Sequence, residues 1–189
     1  LGYRAMKVKI GFDAKTDLDL LRELCSDLPE GERLFTDANQ AWDLAQALSF
    51  VDQTGDLGLG WLEEPIRADV PVEQWTELAR ASHIPLAAGE NITGFDDFDF
   101  AIGSGNFGFI QPDVAQWGGV TGCFRIGQAI LAGERTYCPH FLGGGIGLIA
   151  SGHLLAATGG DGLLEVDVNA NPLRDVFFPE GMCKEGFFP

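Results

Sequence analysis

Apolar and polar positions alternate along this chain in two rhythms that take turns. A short run of period two, Ala5 to Gly11, puts Met6, Val8 and Ile10 on one face and Lys7 and Lys9 on the other, as an extended strand does. A helical spacing follows, with Leu18, Leu21, Leu24 and Leu28 recurring after Thr16 or Asp17 as the expected cap, and Pro29-Glu30-Gly31 as the stop. Leu34 to Asp37 reads as a strand. Trp42-Asp43 opens a helix with Leu44, Leu48 and Val51 on one face and Gly55 at its close, and Gly60 to Glu63 is the next strand.

The alternation continues through helix 72–81, strand 85–89, helix 95–102, strand 107–111, helix 121–132, strand 135–138, helix 148–157 and strand 163–166. Strands and helices in strict alternation predict a parallel sheet with helices packed outside it. Beyond Asn171-Pro172 the periodicity ends, and Phe177-Phe178-Pro179 and Phe187-Phe188-Pro189 form an apolar tail that needs a surface to pack on.

Ionisable residues sit at the ends of these strands. Lys9, Asp37, Glu63, Glu90, Asp113, His140 and Glu165 follow one another at intervals of 28, 26, 27, 23, 27 and 25 residues, about one strand-helix unit each. A βα barrel gathers the carboxyl ends of its strands around one mouth, where such folds carry their chemistry. A single acidic residue at a strand end is commonly a helix cap or a solvated charge, and paired lysines on a strand are commonly edge protection. The whole series, however, would bury many charges together unless they were paired or bound to metal.

Composition narrows the partners. Twelve basic against 28 acidic residues give a net charge of -16, which argues against a nucleic-acid partner. No apolar run approaches the ~18 residues of a membrane span, and the start of the chain does not read as a signal peptide, so a soluble, cytoplasmic protein without a membrane partner is expected. Glycine, 26 of 189 residues, is about twice its average share and implies many tight connections. Cys25, Cys123, Cys138 and Cys183 lack metal or redox spacing and read as buried free thiols. Cys138 precedes His140 by two residues, but a shared strand face is the most that this spacing offers a catalytic thiol.

Asp37, Glu63 and Glu90 on three consecutive strands make an oxygen-only donor set that suits Mg2+, and the absence of histidine and thiolate ligands argues against zinc. Lys9, with Lys7 beside it, suits a base, because neighbouring positive charge lowers a lysine's proton affinity. Asp113, one strand before His140, suits the fixing of that imidazole's tautomer. A metal flanked by two bases fits removal of a proton next to a carboxylate, through an enediolate that the metal stabilises.

Lys7-Val8-Lys9, Asp37-Ala38-Asn39, Trp61-Leu62-Glu63-Glu64-Pro65, Gly89-Glu90-Asn91, Pro112-Asp113, Gly118-Gly119-Val120-Thr121-Gly122, His140 and His153 to Thr158 with Glu165 together resemble the enolase superfamily, and within it the mandelate racemase subgroup. The resemblance implies a TIM-like (β/α)7β barrel in which 1–175 supplies strands 2 to 8, with the first strand and an α+β capping domain missing, and 176–189 is a tail that returns toward that cap. It implies Mg2+ held by Asp37, Glu63 and Glu90, Lys9 as base on one face, and His140 with Asp113 as base or acid on the other. Lys7 would neutralise the substrate carboxylate, Asn39 would reach a substrate hydroxyl and Glu165 would hydrogen-bond the carboxylate or enediolate. Glu64 is kept as a supporting residue, His83 as a loop residue and His153 as a helix residue.

Dehydration of an acid sugar, a small carboxylate substrate, is the preferred activity, with His140 as general acid and an assembly of identical copies expected. A racemase or epimerase of a 2-hydroxy acid is the second reading, and a fragment without catalysis the third. The glycine-rich 143–147 argues against mandelate itself. Cycloisomerisation ranks lower, since a lysine would be expected where Asp113-Val114-Ala115-Gln116 stands.

Overall fold

The computed structural model describes residues 2–177 and 187. The chain divides into two compact units, one from Tyr3 to Ala87 and one that begins at Ala88. Within each unit the strands pair in parallel and neighbour one another in chain order, as alternation with helices requires.

The first unit runs β1 (Ala5–Lys9), α1 (Ala14–Ser26), β2 (Arg33–Asp37), α2 (Leu44–Thr54), β3 (Leu62–Glu63), α3 (Val72–Ala81) and into β4 (Leu86–Ala88). Asp13, not Thr16 or Asp17, caps α1: its extended backbone lets the carboxylate accept from the Thr16 amide at 2.9 Å. Asp17 is buried and accepts instead from the amides of Gly11 and Phe12. Asp43 caps α2 in a reciprocal box with Gln46. The buried face of α2 is Ala47, Phe50, Val51 and Thr54, one position round from the expected Leu44 and Leu48, which are only partly covered. Leu21, Leu34, Phe35, Leu62 and Leu78 complete this core.

Register places the chemistry. Lys9 pairs with Asp37 across β1 and β2, and Asp37 pairs with Glu63 across β2 and β3. Paired residues of parallel strands project to the same side, so Lys9, Asp37 and Glu63 form one row, and Lys7, two residues back, shares their face.

The second unit contains α4 (Phe95–Ser104), β5 (Phe109–Ile110), α5 (Gly119–Ala132), β6 (Thr136–Tyr137), α6 (Gly145–Thr158) and the short α7 (Pro172–Asp175). Phe98, Ile110, Ile126, Ile130, Tyr137 and Leu148 are its innermost side chains. The strand expected over 163–166 does not form. Residue 163 runs past β6, but its amide donates to the Cys138 sulfur at 3.3 Å, and a thiol in place of a carbonyl starts no ladder. Among the described residues six strands therefore stand where seven were expected. Of the tail, Phe177 lies against Gly145 at the start of α6; 178–186, 188 and 189, with Phe178-Pro179, Cys183 and Phe188-Pro189, fall outside the described residues.

Candidate active site

The residues singled out in the sequence fall into two groups, one in each unit. The first gathers Lys7, Lys9, Asp37 and Glu63. Lys7 donates to Glu63 Oε1 and Oε2 at 2.9 and 3.0 Å, and its ammonium lies 3.4 Å from Asp37 Oδ2. Lys9 donates to the same Oδ2 of Asp37, while the Asn39 amide donates to Oδ1 at 2.8 Å. Asp37 and Glu63 are buried to 2% and 1% exposure, so these partners are what makes two interior carboxylates tolerable. Burial works against ionisation of Asp37, but the Lys7 charge, the Lys9 hydrogen bond and the Asn39 amide outweigh it and hold the carboxyl below its ordinary value.

The two lysines differ in reach. The Lys7 side chain is 14% exposed and the Lys9 side chain 44%, so Lys9 is the amine open to a reactant and Lys7 the one committed to the carboxylates. Asn39 is exposed, with a positive φ of 47°, and Gln40 follows it at 60°. The Gln40 amide donates to the Glu64 carbonyl at 2.6 Å, and the Ala68 amide donates to Gln40 Oε1 at 2.9 Å. These bonds carry the parallel pairing of β2 and β3 on into their loops. Glu64 is buried at 2% exposure and also has positive φ.

In the sequence Trp61 stands out only as part of the Trp61-Leu62-Glu63-Glu64-Pro65 motif, with no role of its own, yet its indole Nε1 donates to Glu63 Oε2 at 3.1 Å. The available signal was its place two residues before Glu63, hence on the same strand face.

The second group surrounds His140. A single parallel bridge ties Asp113 to His140 beyond the ends of β5 and β6. Asp113 Oδ1 accepts from the amides of Ala115 and Gln116 at 2.6 and 3.2 Å, which fixes the carboxylate and aims Oδ2 at His140 Nδ1, 2.7 Å away. His140 Nε2 faces Glu90 Oε2 at 2.6 Å and Glu165 Oε2 at 3.7 Å. Burial of the imidazole opposes its charge, but the bonds to Asp113 and Glu90 and the field of Glu165 prevail and raise the pKa to about 10. Asp113 is held below its ordinary value against its own burial, by the same histidine bond and the two amides. Glu165 reaches this group from the irregular stretch after α6, not from a strand.

His83 lies in the loop before β4, and His153 is an exposed residue of α6. Cys123 and Cys138 are buried free thiols, whereas Cys25 is partly accessible. No helix among the described residues is long and apolar enough to cross a membrane.

Residues 1–188 match the family model of the enolase C-terminal domain-like proteins. The chain belongs to that family. Among its curated relatives, D-galactarolactone cycloisomerase of Agrobacterium fabrum is 28% identical over 188 residues, covering 95% of this chain and 49% of the relative. Arabinonate dehydratase of Saccharolobus solfataricus is 28% identical over 183 residues, covering 96% and 48%. The chain thus spans about half the length of the curated relatives it matches. Among solved structures, a mandelate racemase/muconate lactonizing enzyme from Bordetella bronchiseptica superposes with a TM-score of 0.94 at 46% identity, over 98% of this chain and 52% of that one. A racemase from Streptomyces coelicolor with bound magnesium matches with a TM-score of 0.79 at 28% identity, over 87% and 45%. These likenesses make the fold that of the enolase-type barrel part, and they place dehydratases, cycloisomerases and racemases among the relatives of this enolase-family chain.

Among the described residues no three His, Cys, Asp or Glu side chains are grouped as a ready metal site. The donor chemistry of the first group nonetheless fits Mg2+: Asp37 and Glu63, adjacent in register, both turn oxygens toward one cation, the Lys7 ammonium, and both offer only oxygen.

Proposed function

We propose that the protein carrying this enolase-family chain removes the proton α to the carboxylate of an acid sugar and eliminates the β-hydroxyl as water. The observation that carries this reading is the pair of proton-transfer groups with opposite equipment. One is an accessible amine, Lys9, in a row of carboxylates; the other is an imidazole, His140, oriented by Asp113. Arabinonate dehydratase among the relatives supports it.

Lys9 takes the α-proton. Lys7 brings positive charge toward the substrate carboxylate, and Asn39, exposed beside Asp37, offers its side-chain amide to a substrate hydroxyl. His140, protonated through its carboxylate partners, gives a proton to the departing β-hydroxyl, with its Nδ1 held by Asp113. Glu165 hydrogen-bonds the substrate carboxylate or the enediolate. Asp37 and Glu63, with Glu90 as the third oxygen donor, would hold Mg2+, whose charge favours loss of the α-proton when it is bound. The enol that results becomes a 2-keto-3-deoxy acid, and the proton and hydroxyl lost add up to one water.

A second reading has its own support. D-galactarolactone cycloisomerase is among the relatives, so cycloisomerisation is not the remote option that the missing lysine near Asp113 suggested. It shares the α-proton step and differs in expelling a lactone oxygen within the molecule, so no water is lost. A racemase or epimerase would return the proton to the same carbon. Free thiols at Cys25, Cys123 and Cys138 support a reducing compartment, the cytoplasm, for an enzyme we expect to be a homo-oligomer.

A panel of acid sugars and their lactones, incubated with the complete protein and Mg2+ in D2O, tests the reading. Keto acid formed from an open-chain acid sugar with loss of one water supports dehydration, keto acid formed from a lactone by ring opening with no change of mass supports cycloisomerisation, and deuterium uptake without either supports racemisation. Absence of all three sinks every catalytic reading. Lys9→Ala and His140→Asn, assayed for exchange, then assign the two groups.

A further inference from the structure

We infer that Trp61 is a positioning residue that fixes the Glu63 carboxylate for cation binding, an inference that rests on the Mg2+ reading of Asp37 and Glu63. Trp61 and Glu63 flank Leu62, which points into the core with no exposure, so both project to the opposite face of β3. The indole Nε1 donates to Glu63 Oε2 at 3.1 Å in a site where Trp61 is 6% and Glu63 1% exposed. An indole N–H donates and never accepts, so this contact needs an acceptor oxygen of Glu63 and favours one orientation of its carboxylate.

The indole itself is held against rotation. Its ring packs on Phe35 with centroids 4.0 Å apart and planes at 36°. Phe35 is buried, and the space beside its ring exists because residue 60 is glycine: a Cβ there would lie 2.2 Å from the ring. The order Gly60, Phe35, Trp61, Glu63 therefore forms a chain of contacts from a strand start to a carboxylate. Lys7 serves the same carboxylate as a cation, and any divalent ion bound there competes with that ammonium for the oxygens. Trp61 is neutral, so its hold on Oε2 does not depend on which cation serves. Hydrogen-bond partners of this kind set ligand orientation and commonly change metal affinity by about 10- to 100-fold when removed.

The test uses the complete protein and Mn2+ as the probe, with free Mn2+ followed by its EPR signal. Trp61→Phe removes the donor, and incorporation of benzothienylalanine at position 61 keeps the fused ring while replacing the N–H by sulfur, so folding is preserved in at least one variant. Both are expected to bind Mn2+ about 10- to 100-fold more weakly than the parent. In the parent, the indole N–H resonance of Trp61, assigned by its loss in Trp61→Phe, is expected to shift on adding Mg2+. A merely structural tryptophan would lower the unfolding midpoint without either effect. If the benzothienylalanine protein binds Mn2+ within about twofold of the parent, while Glu63→Gln abolishes binding, the positioning role is wrong and the metal reading stands. If the parent binds no Mn2+, or binds it equally well as Glu63→Gln, the metal reading fails and the inference falls with it.

Discussion

Lys7 places its ammonium nitrogen 2.9 Å from Oε1 and 3.0 Å from Oε2 of Glu63, a carboxylate with 1% of its surface exposed. One cation on both oxygens leaves little freedom to the acid, and the same nitrogen is 3.4 Å from Asp37. Removing one member of a buried ion pair costs roughly 3–5 kcal/mol, since the partner stays behind in a medium of low polarity. Lys9 remains on Asp37, so Lys7→Met without divalent cations is expected to lose about 3 kcal/mol, the lower end of that range. Urea unfolding in EDTA measures it. Mg2+ should restore part of the loss, and Lys7→Met combined with Glu63→Gln should be less destabilised than Lys7→Met alone.

His140, with its pKa raised to about 10, should stay an imidazolium at pH 8 in the protein without divalent cations, and NMR of the imidazole carbon-bound protons reads this directly. The folded value lies above the unfolded one of about 6.5. Its contribution to stability is therefore complete below pH 6.5 and is lost as pH rises from there through about 10. Asp113→Asn removes the carboxylate on Nδ1 and should lower the titration midpoint and flatten stability over that window.

Gly89 has φ +155°, and a Cβ added there would lie 2.4 Å from the Gln111 nitrogen and 2.5 Å from its carbonyl carbon. Both obstacles are backbone, and the Gln111 amide already donates to the Ala88 carbonyl, so the neighbour has no rotamer by which to yield. Gly89→Ala is expected to accumulate in the insoluble fraction or to unfold at much lower urea than Gly31→Ala. Gly31 also has positive φ, +83°, but nothing lies within 4 Å of its added carbon, which makes it the control for backbone strain alone.

Burial pushes the Cys123 thiol up to about 11, and its sulfur donates to the Trp117 carbonyl at 3.3 Å. Since the thiolate is the reactive form, Cys123 and Cys138 should resist iodoacetamide in the native protein, while Cys25, partly accessible, is labelled before either of them. Peptide mapping before and after unfolding in urea checks the order. Labelling of Cys123 ahead of Cys25 would contradict the packing of α5.

Much of this protein was determined locally. Alternation of period two and helical spacing is a property of neighbouring residues, and it identified the strand-helix repeat and the residues at strand ends. Lys9, Asp37 and Glu63 form a row because each ends a strand of a parallel sheet, and spacing alone carried that. Tertiary structure decided the rest. The stretch 163–166 has a strand's composition, yet it forms no strand, and the Leu163 amide goes to the Cys138 sulfur and not to a backbone carbonyl. Asp13 took the cap expected of Thr16 or Asp17, because Asp17 was drawn inward to the Gly11 and Phe12 amides. Glu90 lies 2.6 Å from His140, a pairing that no spacing states. Trp61 reached Glu63 only once Phe35 and Gly60 had shaped the space for its ring. A hydrogen bond between side chains depends on packing from several elements at once, and a one-dimensional pattern holds no record of those distances.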